Sequence, residues 1–516
     1  MKRQWQVLIL VLLVLAIALI RPAFAQPVDI TLLQFNDVYE ITPVAGGKMG
    51  GLARVATIRK RLLAQNPHTY TILAGDFFSP SALGTAKVNG EPLAGQQMVA
   101  VLNAMGLEYA TFGNHEFDLK EDQFYQRLKE SRFKWFSSNV FDAAGKSFPD
   151  VPLSEIISVK SKKGRVVKIG LIGVTIDSNR PNYVSYRDPI ETAREQVQPL
   201  KGRVDIIVAV THLNLAKDQE LAESVPEIDL VLGGHEHENI QQWRGSDLTP
   251  LFKADSNVRT VYIHHLHYNP KTRSLKVESR LTPLTSDIPE DPETEKVVQE
   301  WQERGFQGFR ANGFAPEKQI TTTAVALDGL EASVRNRPTL LTELIAMGML
   351  REVTNADLAI FNGGSIRIDD VIPPGPVTEY DVIRIMPFGG NVLAVSMEGQ
   401  VLKRVLDQGI ANQGTGGYLQ TANVSLSPES RTWLIAGEPL DLSRRYLVAI
   451  NDFLLKGKEK NLDFLTPEQP GVQVIEKKRD MRFTLIDELK RQNSSVSSKL
   501  HPQVKQSLAL PAVVHR

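Results

Sequence analysis

Within the stretch Gly113-Asn114-His115-Glu116-Phe117-Asp118, an amide oxygen, an imidazole and a carboxylate fall inside five residues. An amide oxygen beside a histidine can touch a divalent ion and a reacting phosphoryl group at once, so metal-assisted phosphoester chemistry is the first reading. Four further stretches share its design, an apolar run that ends on a donor-type side chain. Residues 30–35 lead to Asn36-Asp37, 71–75 to Asp76, 205–211 to His212, and 228–234 to His235-Glu236-His237, as 109–112 lead to Asn114-His115. One Asp after a strand is most often a helix N-cap, and one His a satisfied core or surface residue. Five donor-bearing ends in series point instead to a shared centre. Oxygen and imidazole donors without sulfur suit two divalent ions of the Zn, Mn, Fe or Co kind. Two such ions ~4 Å apart clamp a phosphate, activate a bridging water and stabilise the departing oxygen. They need a bridging carboxylate, and Asp76 is the natural candidate.

Short apolar runs bounded by glycine and turn residues predict buried strands, and the spacing of 53–64 and 96–105 predicts helices between them. Strands alternating with helices make α/β layers, in which ligands gather beyond the carboxyl ends of the strands. Residues 260–268 alternate as a strand, so His264, His265 and His267 read as strand residues and not as ligands.

At 516 residues the chain exceeds one compact core. Lys+Arg and Asp+Glu both total 59, which leaves no electrostatic footprint for nucleic acid. With no cysteine, disulfides and thiolate metal sites are excluded. Lys2 and Arg3, an apolar run at 7–20 and Ala23-Phe24-Ala25 predict a secretory leader at 1–25, cut after Ala25. The run is short of the ~20 residues that span a bilayer. A periplasmic or secreted mature chain follows, with no stable membrane insertion and no call for a partner beyond a small molecule; a monomer is expected.

Pro289, Asp291 and Pro292 break the pattern, and a charged helix at 293–309 with an apolar stripe of Val297, Val298, Trp301 and Phe306 follows. The C-terminal half carries no metal-type cluster. Three apolar approaches run into polar or glycine turns there: Asn362-Gly363-Gly364 with Arg367, Phe388-Gly389-Gly390, and Asn451-Asp452-Phe453. Glycines admit close backbone approach, arginine grips phosphate bidentately, and aromatics at loop edges can sandwich a flat base. Residues 493–516 read as a flexible tail.

Asp37, Gly75-Asp76, the Gly113–Asp118 stretch, Thr211-His212 and Gly233-Gly234-His235-Glu236-His237 resemble the motif series of the calcineurin-like metallophosphatases. Their spelling, with the chain that follows, resembles the 5'-nucleotidase branch, which includes bacterial periplasmic UDP-sugar hydrolases. The resemblance implies an α/β fold: a four-layer α/β/β/α metallophosphatase sandwich at 26–288, a linker helix at 289–315, and an α+β substrate-binding domain at 316–492. It implies Asp76 bridging two ions, with Asp37 and His237 on one and Asn114, His212 and His235 on the other. His115 would stabilise the phosphoryl transition state and Asp118 would hold and polarise it. Phe388 and Phe453 match its base-stacking aromatics, Asn362 its base- and ribose-contacting asparagine, and Arg337 and Arg367 its phosphate-gripping arginines.

The chain departs from the pattern in three places. Tyr39 stands where the first motif usually has histidine; it either binds a strongly polarising ion as phenolate or points away and leaves a water in its place. Residues 338–343 differ after Arg337, and a longer loop at 457–463 makes Asp463 the candidate ribose carboxylate. The expected activity is an exported hydrolase that takes nucleoside 5'-monophosphates to nucleoside and phosphate by in-line attack of a metal-bound hydroxide, serving nucleotide catabolism. A 2',3'-cyclic-nucleotide phosphodiesterase/3'-nucleotidase or UDP-sugar hydrolase is the alternative, and a non-catalytic nucleotide-binding surface protein the reading from another class.

Overall fold

The computed structural model describes residues 27–161 and 164–495; the leader at 1–25 and the tail beyond 495 lie outside them. The chain packs as two compact units, one made of the residues up to Ser79 with Gly95–Val298, the other of Pro80–Ala94 with the residues from Gln299 on.

Two six-stranded sheets build the first unit. One runs in the order Ser274–Pro283, Thr260–Asn269, Val28–Phe35, Thr69–Ala74, Tyr109–Thr111, Lys134–Trp135. The other runs Ile240–Arg244, Thr249–Lys253, Leu230–Gly233, Ile206–His212, Val166–Thr175, Ser154–Lys160. Their facing side chains form one core, with Ile30, Leu32 and Ile72 from the first sheet against Ile169, Val208 and Leu230 from the second. The outer face of the second sheet buries Ile172, Ala209 and Val231 under Ile190, Ala193 and Val197 of the helix Pro189–Leu200 and Leu221 of the helix Leu215–Ser224. The helices Leu52–Gln65, Gln96–Met105 and Glu121–Glu130 alternate with the strands of the first sheet.

Strand direction positions the site. Val28–Phe35, Thr69–Ala74 and Tyr109–Thr111 are mutually parallel, so the residues after them emerge at one edge. Val166–Thr175, Ile206–His212 and Leu230–Gly233 are parallel in the other sheet. Gln34, fully buried, ties the sheets together: its Nε2 donates to the carbonyls of Gly233 (3.1 Å) and Phe252 (2.9 Å). His264 backs it, donating Nε2–H to Gln34 Oε1 (2.9 Å) and accepting at Nδ1 from Ser279 (2.7 Å), a core role that fits its strand reading.

The second unit centres on a five-stranded mixed sheet, Leu419–Ala422, Leu358–Asn362, Arg445–Asn451, Asn391–Glu398, Val472–Asp480. Leu402, Val405 and Leu406 of the helix Gly399–Ala411 cover one face. The helices Leu340–Glu352 and Met481–Ser495 meet where Gly348 approaches the Thr484 carbonyl, a place where a Cβ would come within 2.7 Å. The boundary between the units falls inside the helix Pro292–Ala311. Pro80–Ala94, inside the 26–288 span drawn from sequence, packs with the second unit. Two helix glycines make room for it: a Cβ on Gly305 would meet Leu83 Cδ1 at 2.3 Å, and one on Gly308 the Lys87 carbonyl at 2.6 Å.

Candidate active site

Asp37, Asp76, Asn114, His212, His235 and His237 come from both sheets, each at or just past the carboxyl end of a parallel strand. Asp37 (0% exposed), Asp76 (1%) and His212 (0%) are sealed from water. Four of these positions carry left-handed backbone, Asp37 (φ 52°), Asp76 (57°), His235 (89°) and His237 (61°). Non-glycine residues there are costly and tend to cluster at functional sites.

The contacts divide each carboxylate into one oxygen held by amide N–H groups and one that faces the histidines and the Tyr39 hydroxyl. Asp37 Oδ2 accepts from Asn36 Nδ2 (2.7 Å) and from the His235 amide (2.8 Å), while its Oδ1 lies 3.5 Å from His237 Nε2. Asp76 Oδ1 accepts from the His115 amide (2.7 Å), and its Oδ2 lies 3.0 Å from His212 Nε2. His212 donates Nδ1–H to the Ala74 carbonyl (2.8 Å), which turns Nε2 toward that carboxylate. The buried Asn114 Oδ1 has no hydrogen-bond partner, and His212 Nε2 faces the carboxylate oxygens of Asp76 (3.0 Å) and Asp37 (3.9 Å).

Burial is the largest influence on Asp37 and Asp76 and opposes their ionisation, yet His212 together with His237 and Asn36 at Asp37, and together with His115 at Asp76, outweighs it and holds both below the usual carboxylate range. Burial likewise works against a charge on His212, but the two carboxylates push it up to about 9. His235 is pushed down to about 3, first by burial and then by His212, and so stays neutral with a lone pair to give. Two buried carboxylates need cationic charge among them, which a protonated His212 or a bound cation supplies. Asp76, His212 and His235 bring donor atoms within 4.8 Å of one another. Donor set, the unpartnered Asn114 oxygen and burial all fit a divalent metal centre.

Beside this cluster sits a dyad. His115 Nδ1 lies 2.8 Å from Asp118 Oδ2, and Asp118 is itself fixed by Ser79 Oγ (2.8 Å) and Asn179 Nδ2 (2.6 Å, to Oδ1). Asn179 also reaches the Asn114 carbonyl (3.3 Å), so the dyad and a candidate ligand share a brace.

Sequence reasoning missed Glu116. Its carboxylate accepts four backbone N–H groups, those of Phe77 (2.7 Å) and Phe78 (3.1 Å) at Oε1 and of Asp76 (2.9 Å) and Gly113 (2.6 Å) at Oε2. It clamps the loop of one candidate ligand to the loop of another. Burial and then the charge of Asp76 push its pKa up to about 7, against those four donors. The sequence signal was a carboxylate set among apolar and donor residues right after a strand. Gly113 completes the clamp, since a Cβ there would lie 2.0 Å from Asp76 Oδ1. Lys253, buried under the His235–His237 loop, bonds Asp218 (2.8 Å), the Leu213 carbonyl (2.6 Å) and Glu236.

In the second unit, Asn362 is buried and tied to Ser365 (2.6 Å), Asn451 (3.0 Å) and Glu459 (2.8 Å). Arg367 lies with its guanidinium 5.9 Å from the Phe388 ring centre, and Phe388 and Phe453 are 59% and 37% exposed, unusual for large aromatics. Arg337 is held by Asp328 (3.0 Å) and Ser333 (2.9 Å). The carboxylate brought to Asn362 is Glu459; Asp463 is exposed, at the far end of the same loop.

Residues 30–239 match the calcineurin-like phosphoesterase family and 319–466 match the 5'-nucleotidase C-terminal domain. The chain thus carries a calcineurin-like phosphoesterase domain followed by a 5'-nucleotidase C-terminal domain. It is 26% identical over 510 residues to the 5'-nucleotidase of Bos taurus, covering 85% of this chain and 85% of that one. It is 26% identical over 440 residues to a trifunctional nucleotide phosphoesterase protein of Bacillus subtilis, covering 77% of this chain but 29% of that protein's length. The 5'-nucleotidase precursor of Thermus thermophilus shares the fold at a TM-score of 0.72 and 24% identity, covering 90% of this chain and 97% of that one. The chain is thus a hydrolase of the phosphoesterase class, and the family matched by its N-terminal half is metal-dependent.

Proposed function

We propose that this chain is an exported phosphomonoesterase that releases phosphate from nucleoside 5'-monophosphates or related nucleotides. The observation that carries the reading is the His115–Asp118 pair set beside a buried cluster of carboxylate, amide and imidazole donors. Asp37, Asp76, Asn114, His212, His235 and His237 would hold two divalent ions, with Asp76 shared. When bound, such ions neutralise phosphoryl charge and acidify a coordinated water.

The chain's own residues supply the rest. Asp118, fixed by Ser79 and Asn179, takes Nδ1–H of His115 and favours the protonated ring. That ring then offers Nε2–H to a phosphoryl oxygen, whose charge grows in the transition state. Glu116 keeps the Asp76 and Gly113 loops in register. Arg337 and Arg367 grip phosphate, Phe388 and Phe453 stack a base, and Asn362 with Glu459 takes sugar hydroxyls, a better placement than Asp463. Export rests on the run at 7–20 and Ala23-Phe24-Ala25, outside the described residues. Among the described residues no helix is long and apolar enough to cross a membrane.

A broader nucleotide range is the second reading, favoured by the longer loop at 457–463, where Glu459 and not Asp463 meets Asn362. The test is phosphate release by the purified mature chain from 5'-, 3'- and cyclic nucleotides and UDP-sugars, with each divalent metal added back. Preference for 5'-monophosphates is expected; no release with any metal would end the enzyme reading.

A further inference from the structure

Tyr39 (5% exposed) leaves the Val28–Phe35 strand two residues after Asp37 and turns inward. Its loop is pinned by Asn257 Oδ1, which accepts from the amides of Tyr39 (3.0 Å) and Glu40 (3.2 Å). The ring meets His237 edge-on, with centres 5.4 Å apart. The phenolic oxygen lies 2.9 Å from His237 Nε2, 3.3 Å from Asp37 Oδ1 and 3.5 Å from Asp76 Oδ2. His237 Nε2 and Asp37 Oδ1 are themselves 3.5 Å apart. Donors that share one ion at ~2.1 Å stand ~3.0 Å apart at adjacent octahedral corners and ~3.4 Å apart at tetrahedral ones. All of these spacings fall on that scale, although a phenol beside one histidine would need only the first of them.

We infer that Tyr39 is a metal ligand through its phenolic oxygen, in a subsite completed by Asp37, His237 and the shared Asp76. The inference rests on reading this cluster as a metal centre. It makes the two subsites chemically unequal: the Tyr39 subsite has three oxygens and one nitrogen, while Asp76, Asn114, His212 and His235 give two of each. The oxygen-rich subsite selects the harder, more strongly polarising ion, and the imidazole-rich one suits zinc. Two ions of different kinds per chain are the consequence.

The test titrates the full mature chain, stripped of metal, with Mn²⁺ and separately with ferric citrate. Bound metal is counted by mass spectrometry after gel filtration, and the ferric form is scanned in the visible. Wild type is expected to hold two Mn²⁺ and, with iron, to show a phenolate-to-iron charge-transfer band. Tyr39→Phe should lose the band and bind its second Mn²⁺ at least ~10-fold more weakly. Tyr39→His should lose the band and keep both ions, and it decides the matter if the Phe variant does not fold. A folded Tyr39→Phe with two ions at wild-type affinity would overturn the inference, as would a bandless ferric wild type holding two irons. Wild type that binds no ion would overturn the metal centre itself.

Discussion

Replacing Glu116 by Gln separates the two jobs its carboxylate does, filling the core and aligning the site. Four N–H groups converge on it, and the two oxygens of a carboxylate offer four lone-pair directions, all of them used. Glutamine keeps one oxygen and turns an NH₂ toward two of those N–H groups. Leaving two buried donors unsatisfied costs about 1–3 kcal/mol each. Set against this, keeping the charge has its own cost: the pKa stands near 7 against an ordinary 4.5, and the difference corresponds to about 3 kcal/mol once the group is ionised. Glutamine escapes that cost, so the two effects nearly offset and global stability should change by no more than about 3 kcal/mol in either direction. Site geometry has no such compensation. The Asp76 loop and the Gly113 loop lose their common anchor, and a misplacement of ~1 Å typically lowers turnover ~10²-fold. Denaturant unfolding, metal content and phosphate release on one preparation read all three quantities. A Glu116→Gln chain with wild-type metal content and turnover within ~3-fold of wild type would refute the alignment role.

Three further outcomes are expected. His115→Ala should lower turnover by ~10²–10⁴-fold while bound metal is retained, because the His115 amide still holds Asp76; parallel loss of metal and rate would make it a ligand. Gly113→Ala puts a Cβ 2.0 Å from Asp76 Oδ1, so it should destabilise by about 1–3 kcal/mol and shed metal, and wild-type metal content would count against the clamp. His264 is pushed from 6.5 down to about 3 by burial and then by the charge of neighbouring His265, while Gln34 and Ser279 hold the neutral ring. The unfolded chain therefore binds the extra proton first, and the stabilising contribution, complete above pH 6.5, is lost on acidification toward pH 3. By about pH 4 wild type should have lost about 3 kcal/mol from this group, and His264→Gln should show a slope shallower by about one proton in unfolding measured across that range.

What the sequence revealed, it revealed through residue type at strand ends. Asp76, Asn114, His212 and His235 could be named because buried runs stop at them, and parallel strands then bring such ends to one edge. The Pro292–Ala311 and Gln96–Met105 helices follow from apolar spacing in the same way. Glu116, Ser79 and Asn179 were hidden because their partners are backbone amides or residues far along the chain, which periodicity does not record. Tyr39 could be recognised as a departure, but only coordinates show that its oxygen turns in. That Glu459 and not Asp463 meets Asn362 depends on the path of a seven-residue loop, 457–463, which its composition does not determine.

The placement of Pro80–Ala94 bears on how the chain comes into being. Leu83 and Ala86 are buried within the second unit, whose remaining residues begin only at Gln299. During synthesis this segment emerges more than two hundred residues before its packing partners, so its apolar side chains wait uncovered while the first unit assembles around its two ends. A fragment stopped at Val298 would keep every candidate metal ligand and still carry Leu83 and Ala86 without the residues of the second unit that pack with their segment. Expressing the phosphoesterase half alone is therefore an aggregation hazard that a cut at the linker does not remove.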